Sequence, residues 1–255
     1  MQTTKYKIVD NSTLTHNVFR LTLSPLENDK VPNFKAGQFV YLLNKDFDES
    51  DPRPFSISSP PEQKKTLEFS IKVYGNWTRS LSQKKSGEIF VSKPYGDFIF
   101  KENISHAVFL LAGIGIAPIM SMLRSLIIKG KDPKITMLYG NLIEEDIVYR
   151  EELESFKKYF TDINIQHILS EIPDNYPWQG YRGFINQKII EKEAGNKNAD
   201  YFVIGQPAFM EKMLKILEKM EIPNDKIHME KIDRSNSTNA HLHITNSSEM
   251  LTSQS

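Results

Sequence analysis

Residues 110–118 read Leu110-Leu111-Ala112-Gly113-Ile114-Gly115-Ile116-Ala117-Pro118, and this run decides the architecture. The apolar stretch Val108–Leu111 has the continuity of a strand buried on both faces. Two glycines then mark a tight turn. Pro118 suits the first turn of a helix, where its missing N–H costs no hydrogen bond. The pattern beyond predicts a helix over Pro118–Lys129. Going forward, the alternation recurs: strand Ile135–Tyr139, a helix charged on one face over Glu145–Tyr159, strand Ile163–Leu169, helix Asn186–Glu193, strand Tyr201–Ile204 and helix Pro207–Met220. Strand alternating with helix means βαβ units and a parallel sheet.

Going backward, the grammar changes near residues 102–106. Val18–Leu23, Gln38–Leu43 and Thr66–Val73 are short runs with period-two or β-branched character. Turn signals separate them at Asn33–Gly37, Asp51–Pro54, Pro60–Pro61, Gly75–Asn76 and Pro94–Gly96. This spacing predicts an antiparallel barrel or sandwich. The chain is therefore expected to comprise residues 1–103 as an antiparallel β domain and residues 104–233 as an α/β domain. Residues 234–255, rich in Ser, Thr, Asn and His, read as a disordered tail.

Composition narrows the function classes. The 255 residues carry 32 basic and 32 acidic side chains, so net charge gives no case for nucleic acid or an anionic membrane. The absence of cysteine removes disulfides, a thiolate nucleophile and a Cys-ligated iron–sulfur cluster on this chain. It fits a reducing compartment. The N-terminus lacks an apolar signal region, and Ala107–Ala117 is too short to span a bilayer. A cytoplasmic protein without a transmembrane segment is expected. His16, His106, His167 and His228 show no metal-ligand spacing, and His241 and His243 read as part of a solvated tail. Met210–Met220 reads as helix core, and Glu151–Lys158 as an exposed face. Ser56, Ser58 and Ser59 lack the elbow of a hydrolase nucleophile.

The chemistry-bearing motifs lie around these elements. Arg53-Pro54-Phe55-Ser56 follows a barrel strand. Gly75-Asn76-Trp77-Thr78 follows the strand that carries Ile71 and Val73. Lys93-Pro94-Tyr95-Gly96-Asp97-Phe98 ends the first domain. Gly113 to Pro118 opens the second, Tyr139-Gly140-Asn141-Leu142 follows its second strand, and Gly205-Gln206-Pro207-Ala208-Phe209-Met210 begins its last long helix. His228-Met229-Glu230-Lys231-Ile232 closes the ordered sequence. These motifs, in this order over residues 5–232, resemble the ferredoxin–NADP reductase superfamily.

The resemblance implies a two-domain oxidoreductase: a flavin-binding antiparallel β-barrel followed by an NAD(P)-binding α/β domain. Hydride would pass from NADH or NADPH to bound FAD, and electrons onward to an acceptor. Arg53, as a rigid donor fork, would reach the flavin's phosphates. Pro54, Phe55 and Ser56 would set the ring, Phe55 against its face and Ser56 toward N5. Gly75 and Thr78 would line the pyrophosphate side, and Ile71, Val73 and Trp77 belong to the same implied cofactor-binding set. Gly113, Ile114, Gly115 and Pro118 would shape the nicotinamide pocket. Asn141, Gly205, Gln206, Pro207 and Met210 complete the cofactor-binding set. Ser56 and Glu230 are the implied catalytic side chains, and no metal ligand is implied. Leu142 stands where the family's Arg can hold a 2′-phosphate, which favours NADH unless Arg150 or Arg182 substitutes. Ile204 stands where many members have Cys, and Ile232 where many have an aromatic ring. The expected partner is a separate ferredoxin, iron–sulfur or haem protein. Alternatives are an NAD(P)H:flavin or ferric-siderophore reductase, a flavin-binding electron-transfer subunit without nucleotide turnover, and a redox-silent binding module. The motifs do not separate FAD from FMN.

Overall fold

The computed structural model describes residues 2–26, 30–44 and 52–230. The tail at 234–255, Ile232, His241 and His243 lie outside the described residues. The first sheet contains β1 (Thr3–Thr15), β2 (Val18–Pro25), β3 (Phe39–Leu43), β4 (Arg53–Ser56), β5 (Leu67–Lys72) and, after helix α1 (Gly75–Gln83), β6 (Glu88–Ser92). The order is β4-β3-β6-β1-β2-β5, with every pairing antiparallel. A bridge between Ile57 and Phe69 joins the two edges, so the sheet closes as a barrel. Alternation fills it: Leu67, Phe69 and Ile71 of β5 point inward onto Leu21, Leu23, Val40 and Leu42.

The second sheet is parallel. Its elements are β7 (His106–Ala112), α2 (Ile116–Ile128), β8 (Lys134–Asn141), α3 (Arg150–Ser155), β9 (Ile163–Leu169), β10 (Tyr181–Arg182), α4 (Gln187–Ala194), β11 (Asp200–Ile204), α5 (Pro207–Lys219) and β12 (Ile227–Met229). The order β10-β9-β8-β7-β11-β12 reverses direction at β7. Both faces are covered, as a parallel sheet requires. Ala107, Phe109 and Leu111 face one core, while Val108 and Leu110 face the other.

One element departs from expectation. The expected helix Glu145–Tyr159 is broken into a 3-10 turn at Glu144–Asp146, α3, and a second 3-10 turn at Phe156–Lys158. The break is at Tyr149, which sits in the left-handed region at φ +62 and whose hydroxyl bonds Ser70 of β5 at 2.6 Å. The linker after β6 also reaches the second sheet. Phe98 and Phe100 already pack on Phe202 of β11, with ring centroids 5.7 and 5.6 Å away.

Candidate flavin and dinucleotide site

On the barrel, β3 pairs with β4 so that Phe39 faces Ser56 and Val40 faces Phe55. Arg53, Pro54, Phe55 and Ser56 are all half-buried at this edge. The Phe55 ring stacks on Trp77 with centroids 5.5 Å apart, so the strand motif and the helix motif share one surface. At α1, Gly75 takes φ +75, and a Cβ there would meet no atom within 4 Å. Backbone at the helix N-terminus is thus open to an anion. The Thr78 hydroxyl is committed to the turn: it accepts from the Tyr74 N–H at 2.6 Å and donates to the Tyr74 carbonyl at 2.9 Å. Ile71 is a core residue, 1% exposed inside the barrel, because the inward phase of β5 that buries Leu67 and Phe69 buries it too. Val73, half-buried, ends that strand with its N–H on the Asn17 carbonyl.

On the α/β domain, Gly113–Gly115 forms a 3-10 turn that leads into α2, with Pro118 buried in the first turn. Gly113 has φ +53 and open space where a Cβ would stand. The Tyr139 hydroxyl donates to its carbonyl at 3.0 Å and pins the turn. Gly115 is required by packing: a Cβ would lie 2.9 Å from the Ile204 carbonyl oxygen. Ile114 is half-buried, and Gln206 is exposed as the cap before Pro207, the first residue of α5. A Cβ on Gly205 would strike the Phe209 ring at 2.7 Å. Met210 lies beneath the sheet with Val203 and Met213, in the core rather than at the crevice. Asn141, at the end of β8, is 7% exposed, and neither end of its amide has a hydrogen-bond partner. Such an orphaned group at the carboxyl end of a strand is where a ligand's polar atoms would be received.

The two half-sites meet. The Gly113–Gly115 turn packs against β5, the strand bridged to Ile57 beside Ser56. Glu230 closes the far side. A Cβ on Gly96 would lie 2.7 Å from its Oε1 and 3.1 Å from the Phe39 ring, which places the carboxyl one strand from Ser56. Both oxygens lack a partner, and burial, aided by the charge of Asp97, pushes the group up to about 8. A protonated carboxyl is held there.

Beyond the crevice, Leu142 is 46% exposed. Arg150 is engaged by Glu144, and its guanidinium lies 5.6 Å from the centre of the Trp178 ring. Arg182 donates to the Pro173 and Tyr176 carbonyls at 2.9 and 2.5 Å. His167 on β9 is 9% exposed with neither nitrogen partnered. Burial holds it down at about 4.

These features fit FAD and a dinucleotide: glycine backbones with nothing above them, an aromatic wall, and orphaned polar groups at the strand ends. A family model described as an FAD-binding domain matches residues 3–99, and one described as an oxidoreductase NAD-binding domain matches residues 109–215. The chain belongs to the ferredoxin–NADP reductase superfamily. It is an NAD(P)H-dependent flavoprotein reductase that uses FAD. This reductase is 29% identical to NADH-cytochrome b5 reductase 1 of Meyerozyma guilliermondii over 221 residues, 83% of this chain and 76% of the relative. It is 27% identical to the reductase component of propane 2-monooxygenase of Rhodococcus jostii, over 91% of this chain and 64% of that protein. Among solved structures, the cytochrome b5 reductase domain of Ulva prolifera nitrate reductase superimposes with TM-score 0.79 at 17% identity, over 90% of this chain and 97% of that one. A ferredoxin NADP+ reductase from Neisseria gonorrhoeae gives TM-score 0.74 at 19% identity, over 90% and 98%.

Sequence reading did not single out Arg124, and it placed Tyr149 and Glu152 in the family-like segment from Tyr139 to Leu153 without seeing what they hold. Arg124 stands within the apolar helix that follows the glycine turn, with no motif around it. Glu152 reads as part of an exposed helix face, yet it turns inward to grip Arg124. Only the structure shows that Arg124 and Tyr149 touch the barrel and that Glu152 holds Arg124 there.

Proposed function

We propose that this reductase takes hydride from NADH onto FAD held by the barrel and delivers the electrons to a separate redox protein. The observation that carries this reading is the packing of the Gly113–Gly115 turn against β5, beside the strand of Ser56. Bound FAD would supply the hydride acceptor and, once reduced, the outlet for single electrons. The chain's own share is orientation and electrostatics. Phe55, backed by Trp77, offers a flat apolar wall. Ser56 would present a hydroxyl to the ring edge. Arg53 and the open N-terminus of α1 would hold the phosphates. The backbone of Gly113 to Gly115 lets the dinucleotide approach closely, while Asn141, Gly205 and Gln206 border its path. Glu230 keeps a proton beside Ser56.

NADH over NADPH is supported by what stands near Leu142. An apolar residue offers no donor to a 2′-phosphate, and both candidate arginines are committed elsewhere. Arg150 is held by Glu144 and Trp178, and Arg182 by two backbone carbonyls. A phosphate would have to break these contacts before binding. The acceptor reading draws on relatives named as reductases of cytochrome b5 and of a monooxygenase, and points to a haem, iron–sulfur or ferredoxin-type protein. The cysteine-free composition supports a reducing, cytoplasmic setting. Among the described residues no helix is long and apolar enough to cross a membrane.

The test is an anaerobic titration of the purified protein. Bleaching of bound flavin by NADH, faster than by NADPH, is expected. A protein without flavin, or with flavin that neither nucleotide reduces, refutes the proposal.

A further inference from the structure

Helix α2 does two things at once. Its N-terminus carries the glycine turn, and one face of its middle is bolted to the barrel. Ser121, Arg124 and Ser125 lie three and four residues apart, which puts them on that face. The Ser121 hydroxyl donates to the Ser59 carbonyl at 2.7 Å, and the Ser125 hydroxyl reaches Glu62 at 3.1 Å. Arg124 is the centre. It donates to the Ser58 carbonyl at 2.9 Å and lies 3.4 Å from Glu68. Its other edge forms a two-pronged pair with Glu152 at 2.6 and 2.7 Å. Its guanidinium stacks on Tyr149, 5.0 Å from the ring centre. Tyr149 in turn bonds Ser70 from a left-handed backbone that a bulky residue rarely adopts. Strain of this kind persists only where its surroundings over-determine it. Ser58 and Ser59 directly continue the strand that carries Phe55 and Ser56. A single rigid path therefore runs from the flavin strand through Arg124 to the glycine turn.

We propose that Arg124 and Tyr149 are positioning residues that hold the dinucleotide crevice in register with the flavin strand and so set the hydride-transfer distance. The idea rests on the hydride transfer proposed above. Neither residue touches the reacting atoms. Lysine at 124 keeps the charge but loses the planar fork that serves Ser58 and Glu152 together. Phenylalanine at 149 loses only the bond to Ser70.

The experiment compares the flavin-loaded wild type with Arg124→Lys and Tyr149→Phe. Three quantities are read: flavin content and NAD+ affinity, the rate of anaerobic flavin reduction at saturating NADH, and hydrogen exchange in residues 57–70 and 116–128. The expected result for Arg124→Lys is reduction slowed by about 10- to 100-fold, with flavin content and NAD+ affinity kept and exchange raised in both segments. Tyr149→Phe should move the same way by less. Reduction at the wild-type rate, or slowed only in proportion to lost flavin or lost NAD+ affinity, overturns the proposal. If Arg124→Lys does not fold, Tyr149→Phe decides alone by the same criteria. If the wild type itself is not reduced by NADH, the functional reading fails instead, and unchanged exchange in the variants would separately overturn the positioning role.

Discussion

Glu230→Gln tests the buried carboxyl beside Ser56. In the fold its pKa stands at about 8 against an ordinary 4.5. Between those values the folded chain holds a proton that the unfolded chain has released. The Glu230 contribution to stability must therefore fall as pH rises through this window, and level off above it. Each pH unit costs about 1.4 kcal/mol, so the full interval is worth about 4–5 kcal/mol. That is a large part of the 5–15 kcal/mol by which domains are typically stable (roughly). Glutamine is neutral and nearly isosteric, so it removes the slope while leaving the packing against Gly96 and Phe39. The assay is urea unfolding of the flavin-free protein from about pH 5 to about pH 8.5. The wild type should lose stability across the range relative to the variant, with the gap widest at the alkaline end. Parallel curves would mean that Glu230 is already ionised in the fold, and the argument from its burial and missing partners would fail.

His167 should act in the opposite sense. Held down at about 4 from 6.5, it takes up a proton on unfolding, so stability is lost as pH falls through that interval. With Glu230, the two slopes should cancel between 4.5 and 6.5, and His167→Phe should unmask a decline with rising pH in that window by urea unfolding. Leu142→Arg should raise kcat/KM for NADPH relative to NADH by about 10- to 100-fold, the worth of one charge-assisted hydrogen bond; unchanged preference would place the 2′ position elsewhere. Gly115→Ala drives a Cβ to 2.9 Å from the Ile204 carbonyl. It should cost about 1–3 kcal/mol of stability and weaken NAD+ binding, read by thermal unfolding with and without NAD+, while flavin content stays.

The sequence carried the architecture where periodicity is strong. The continuous apolar strand at 108–111, the glycine turn and Pro118 specify strand, turn and helix by local physics alone. The barrel motifs were legible for the same reason, since Phe55, Gly75 and Trp77 each answer a local demand. Ile71 and Met210 are implied at the cofactor by the resemblance alone, while strand and helix phase bury both in cores, as the reading of Met210–Met220 as helix core expects. Local pattern also predicted one helix across Glu145–Tyr159. The break at Tyr149 depends on Ser70 and Arg124, which are distant in sequence, and no window of residues contains that information. The Arg124–Glu152 pair escaped for the same reason: a half-buried ion pair between elements leaves no period.

The packing of Phe98 and Phe100 on Phe202 has an engineering consequence. Phe202 also stacks on His228, 4.6 Å away, so the linker, β11 and β12 form one aromatic pile. A nucleotide module cut at the start of β7 would leave one side of that pile bare to water. In this chain the graft should carry Phe98 and Phe100 with the nucleotide module, while Tyr95 and Gly96 stay with the barrel, where they pair with Phe39 and Gln38.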